Sequence, residues 1–262
     1  MDNKTIKISQ LDPAWTKRAN PALMLFTGGH RAKVAEWFLE VQRVVYDIYK
    51  TFAAIENFLN RGEEPLFVGK NKDQIHLEPS DRVWASGYMI ENAYLRIGSS
   101  LDKIAQMTRV FYEHPNHGGP LLVYPRCGKC DPEEMNQNNC TFGGVVSALH
   151  KDPRVSEVDN ALFVLEKSKL LSEVKKVRNE ITHKINKTIF YPGIDFDVDL
   201  EVDGNMQKTT FTLGRKYKTP EEYWELVAKA HNEIVDQLNI IGPHLFPEKK
   251  QQNDGHGNAD TA

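Results

Sequence analysis

The stretch Val177-Arg178-Asn179-Glu180-Ile181-Thr182-His183 puts a guanidinium, an amide, a hydroxyl and an imidazole within seven residues. A guanidinium is a fixed cation with donors set for oxyanions. An imidazole exchanges protons near neutral pH. Together they suit acid–base chemistry on an anionic substrate. The same residues could equally solvate an ordinary helix face, so their placement decides the reading.

On a helix, with Arg178 set at zero and roughly 100° per residue, Val174, Val177, Ile181 and Ile185 fall together at roughly 260° to 340°. They form an apolar stripe. Thr182, Asn186, Asn179 and His183 follow at about 40°, 80°, 100° and 140°. With Arg178 they make one polar strip beside the stripe. Lys176, Glu180, Lys184 and Lys187 lie further round, where solubility alone would put charge. The strip is poor in strong helix formers, so local helix stability does not account for its composition.

Four long amphipathic patterns must position this strip. The first runs from about His30 to Arg61, with Val34, Phe38, Val41, Val45, Ile48, Phe52, Ile55 and Leu59 in register. The second runs from Asp81 to about Tyr112, with Trp84, Tyr88, Leu95, Leu101, Ile104 and Phe111 on one face and Pro115 as its stop. The third, from about Asn160 to Asn186, carries the motif. The fourth starts at the capping box Thr219-Pro220-Glu221-Glu222 and ends at Gly242-Pro243, with Tyr223, Val227, Ala230, Ile234, Leu238 and Ile241 as its stripe. A short helix is expected near Val145–His150.

The expected organisation is an N-terminal arm over 1–28, a helical domain over 29–246, and a polar, disordered tail over 247–262. Residues 22–26 give the arm a short apolar patch. Two insertions interrupt the domain, at about 114–140 and 188–218. In the second, Phe196, Val198, Leu200 and Val202 alternate with acids, turn at Asp203-Gly204-Asn205 and return through Thr210–Leu213, which predicts a β-hairpin. The fold class is all-α, a bundle of four or more long helices with a small β-hairpin insertion.

Composition narrows the function classes. The formal net charge of −3 gives no global basic footprint, so any nucleic-acid contact needs a local patch. One such patch runs from Glu166 to Lys187, with seven Lys or Arg against three Glu. No apolar run is long enough for a membrane span, and the first residues lack a signal-peptide core. The expected location is cytoplasmic, with no membrane partner.

Arg178-Asn179, three residues, then His183 resembles the Arg-polar-x-x-x-His motif of the HEPN superfamily. These are helical bundles found in prokaryotic toxins, defence and abortive-infection proteins, and RNases. The motif's place late in a helix, with another long helix after it, is similar too; the Cys-bearing insertion and the hairpin depart from the minimal pattern. The resemblance implies a HEPN-like bundle, RNA as partner, no cofactor and metal-independent endoribonuclease activity, in a toxin or defence effector with a cognate antitoxin. It implies His183 in proton transfer, Arg178 on the scissile phosphate and Asn179 orienting either. Thr182, Lys176 and Asn186 stand as binding candidates. One Arg and one His make a thin site, so a twofold homodimer joining two motifs in one cleft is implied. The alternative is a catalytically inactive HEPN-type module for dimerisation or for ligand or nucleic-acid binding.

Two other constellations are weighed. Cys127-Gly128-Lys129-Cys130 is a CxxC with Cys140 ten residues on and His117 or His150 as fourth ligand, but the second pair of a structural zinc site is missing. Free thiols in a loop are the better reading. Asp195, Asp197, Asp199, Glu201 and Asp203 share one strand face, which reads as a charged edge guarding against sheet-to-sheet association.

Overall fold

The computed structural model describes residues 7–19, 29–60, 66–68, 73–75, 79–124, 131–183, 194–202, 205–213 and 220–248. Its elements run α1 (Pro13–Thr16), α2 (His30–Asn60), β1 (Leu66–Val68), β2 (Asp73–Ile75), α3 (Pro79–Tyr112), a 3-10 turn (Pro115–His117), β3 (Leu122–Val123), β4 (Glu133–Glu134), α4 (Phe142–Lys151), α5 (Ser156–Lys167), α6 (Lys169–His183), β5 (Ile194–Val202), β6 (Asn205–Leu213) and α7 (Pro220–Leu245). This is an all-α bundle that carries, among the described residues, three small two-stranded pieces. The longest is β5–β6, antiparallel from Ile194↔Leu213 to Val202↔Asn205, at the place the alternation predicts. Asp203 lies outside the described residues. The β1–β2 pair had no counterpart in the sequence reading. No helix among the described residues is long and apolar enough to cross a membrane.

The frame is an antiparallel pair. The links Asp47–Arg96 and Glu40–Lys103, with His30 Nε2 3.1 Å from the Phe111 carbonyl, run in reverse order along α2 and α3. The predicted stripe of α2 is buried from Val34 to Ile55, and that of α7 from Tyr223 to Ile241. Seams this regular follow from the 3.6-residue period.

Three sequence expectations need correction. The stripe of α3 is Ile90, Ala93, Tyr94, Ile97, Leu101, Ile104, Ala105 and Thr108, whereas Tyr88 is 58% exposed and Leu95 only half-buried. Leu101, Ile104 and Phe111 are buried as expected, but small and polar residues hold other buried positions, so counting large apolar side chains misplaces Tyr88 and Leu95. The expected third helix is two helices, broken at Ser168 (ψ 121°). The Ser168 hydroxyl accepts from the Leu171 N–H at 3.1 Å, a cap for α6, and donates to Glu233 at 2.6 Å on α7. Finally, Gly242-Pro243 does not end α7, which continues to Leu245 with Pro243 inside it.

Gly242 serves packing instead. A Cβ there would sit 2.3 Å from Trp15 Cδ2. Trp15, 1% exposed, fills the space between Phe38 and Phe246. Two asparagines of α7 hold its segment. Asn239 accepts from the Asp12 N–H and the Trp15 indole and donates to the Gln10 carbonyl. Asn232 accepts from the Ser9 N–H and donates to the Lys7 carbonyl. Gly242→Ala is expected to destabilise the fold by about 2–4 kcal/mol in urea unfolding, since the new methyl group meets a fixed indole. An unchanged midpoint would contradict this seating.

His231 on α7 is buried, edge-on to Phe52 at 5.3 Å, and its Nε2 has no hydrogen-bond partner among the described residues. Burial pushes its pKa down to about 4, against an opposing pull from the Ser9 backbone. The unfolded chain binds this proton near pH 6.5 and the folded chain only near 4. Stability is therefore intact above pH 6.5 and falls as pH drops toward 4. The expected loss is roughly 2 kcal/mol between pH 7 and 4.5, and His231→Gln removes that share of the pH dependence. Urea unfolding of both proteins at the two pH values checks it.

Candidate functional site

The candidate site lies on α6, which is wedged between α3 and α7. Its anchor is apolar: Leu171 and Val174 are buried and Val177 packs against the core. Arg178 follows on the margin of that anchor and is half-buried. Its side chain lies across α3 at Gly98. A Cβ on Gly98 would come within 2.7 Å of Arg178 Cδ, 2.8 Å of Nε and 3.0 Å of Cζ. The missing side chain on α3 is therefore the seat of the guanidinium. Arg178 Nε is buried there and has no hydrogen-bond partner among the described residues. Such a donor is costly to leave unpaired.

Asn179 and Thr182 are exposed beside it. The Thr182 hydroxyl is engaged within the helix, near the carbonyls of Arg178 at 3.0 Å and Asn179 at 3.4 Å. Its one proton is thus spent on the backbone, which leaves Thr182 an acceptor rather than a donor to phosphate. Lys176 is exposed on the same helix. His183 is the last residue of α6, about 7.5 Å along the axis from Arg178. Its side chain lies outside the described residues, as does all of Asn186. The feature missed in the sequence was Gly98, which belongs to a different helix and carries no local signal of its partner.

Cys127 and Cys130 lie outside the described residues. Cys140 is a buried free thiol, pushed up to about 11 by burial. His150 stacks on Phe163 with ring centroids 4.1 Å apart, and His117 stacks on Phe111 at 4.1 Å. Among the described residues no three His, Cys, Asp or Glu groups converge as a metal would need.

A bundle of long helices presenting Arg-Asn-x-x-x-His at the end of one of them defines a protein of HEPN type. The model of the Cthe2314-like HEPN family matches residues 37–239, most of the chain, and the chain belongs to that family. Searches of curated proteins and of solved structures gave no match. Membership points to a nuclease, RNA-related or nucleotide-binding module, in a superfamily whose domains often dimerise and bind RNA.

Proposed function

We propose that the protein is a metal-independent endoribonuclease of HEPN type, acting as a homodimer in toxin or defence activity. The observation that carries this reading is the Arg178 guanidinium seated over Gly98 with its buried Nε unpartnered. The seat fixes a permanent cation on the margin of the motif strip. In the reaction, the RNA 2′-hydroxyl attacks the adjacent phosphorus and the bond to the 5′-oxygen breaks. His183 exchanges the proton leaving the nucleophile or the one reaching the leaving oxygen. Arg178 neutralises charge on the phosphorane. Asn179 orients the imidazole or contacts the phosphate. Lys176 and Asn186 hold the RNA backbone alongside, and a second chain supplies the facing motif.

The test is incubation of the purified protein with mixed RNA in excess EDTA. Cleavage that survives chelation and leaves 2′,3′-cyclic phosphate and 5′-hydroxyl ends is the expected result. The sizing experiment is expected to give about twice the 29.9 kDa chain mass. Cleavage that needs added metal overturns the mechanism. The second reading, an inactive binding module, is favoured by the depth of Arg178 against α3, where packing alone would retain it. RNA binding without cleavage at any divalent-ion level would mark that reading.

A further inference from the structure

A second cluster lies at the C-terminal end of α3. His30 and Arg31, the first two residues of α2, face His114 and His117 beyond the end of α3 and His244 in the last turn of α7. Together with Phe111 they line a cavity of about 340 Å³. The rings crowd one another: His30 and His114 have centroids 5.0 Å apart, and His114 and His117 5.5 Å. No carboxylate among the described residues lines the cavity. Glu113 and Glu248, the acids adjoining this region in sequence, pair instead with Arg109 and Arg18. Arg31 donates to the Pro247 carbonyl at 3.1 Å, while its buried Nε has no partner among the described residues.

We propose that this cavity is a binding site for a phosphate-type oxyanion, separate from the Arg178 site. Gly98 and Phe111 are thirteen residues apart on α3, which is about 20 Å. His30, His114, His117 and Arg31 gather donors and cationic groups with no acid among the described lining residues; Glu157 on α5 faces only His244. The pKa of His117 is already lowered, first by burial and then by His114 and His30 as like charges. An anion among these rings turns that repulsion into attraction. The first N–H groups of α2, whose helix spans 31 residues, add donors and the positive end of a helix dipole at the same place. The histidine rings meet tilted, at 52° and 50°, and among the described residues no three His, Cys, Asp or Glu groups converge, so a metal ion is the poorer occupant.

The experiment is an NMR titration of the full chain with sodium sulfate against sodium chloride at matched ionic strength. Sulfate keeps its charge from pH 8 to pH 6, so a change in affinity reports the protein's histidines. The expected result is saturable shifts of the His30, His114 and His117 ring signals, with binding at least threefold tighter at pH 6. Arg31→Gln with His114→Gln is expected to weaken it tenfold or more while the dispersed amide spectrum shows a folded chain. Inorganic phosphate, adenosine 5′-monophosphate and a 5′-phosphorylated oligoribonucleotide then identify the source, since the tightest of the three names it. No excess over chloride, affinity that does not rise at pH 6, or equal binding by the folded double variant overturns the proposal.

Discussion

Arg178→Ala and His183→Ala are each expected to lower RNA cleavage by at least about 100-fold, because each removes a distinct part of the reaction. Neither change should cost much stability, since Arg178 is only half-buried and α6 is anchored by Leu171 and Val174. A sharper test is Gly98→Ala. It changes no motif residue but puts a methyl group where the guanidinium lies, 2.7 Å from Arg178 Cδ. The arginine side chain can swing away, and alanine is the better helix former by about 0.5–1 kcal/mol. Gly98→Ala is thus expected to unfold no more easily than the parent chain and yet to lose at least about tenfold in cleavage rate. Full activity in a folded Gly98→Ala protein would show that the seat does not matter, and the arginine would then have to act from another position.

The largest expected loss of stability is at Asp159. Its carboxylate is 2% exposed, accepts from the Tyr112 hydroxyl at 2.5 Å and accepts from the Arg154 N–H at 2.6 Å. Arg154 in turn donates to the carbonyls of Gly119 and Pro120 and lies over the Tyr112 ring. One carboxylate on α5 therefore fixes the end of α3 and the loop after it. The Tyr112 pKa is raised, by burial first and by Asp159 second, so the hydroxyl stays a donor. Asp159→Ala leaves the buried Tyr112 hydroxyl and the part-buried Arg154 N–H without this acceptor, and a loss of about 3–4 kcal/mol follows. Tyr112→Phe removes one bond and leaves the other, for about 1–2 kcal/mol. The double variant should cost less than the sum, and strict additivity in urea unfolding would refute the network.

These residues show what a sequence can and cannot display. The stripes of α2 and α7 were legible because large apolar residues recur along them without interruption. The motif strip was legible because Arg178, Asn179 and Thr182 depart from what a solvated face requires. The break at Ser168 left one sign, since on a single continuous helix Leu171 and Val174 would lie roughly 120° to 180° away from Leu162 and Leu165, but the partner that holds it, Glu233, sits 65 residues away and was hidden. Gly98 and Gly242 were hidden for the same reason. Each is empty space that another element fills, and a missing side chain gives no local sign of what occupies its place. Asp159 reads as a first-turn acid of a helix, and only the fold brings Tyr112 to it.

The two asparagines of α7 also impose an order on the making of the protein. They hold a segment synthesised 223 to 229 positions earlier. At about 5–20 residues per second, that segment waits roughly 10 to 45 seconds for the helix that receives it. Throughout this interval Trp15 has neither Phe246 nor Gly242 to cover it. A ribosome that stalls before α7 leaves an indole in water and a bundle with an open seam, the state that a chaperone or a protease would meet first.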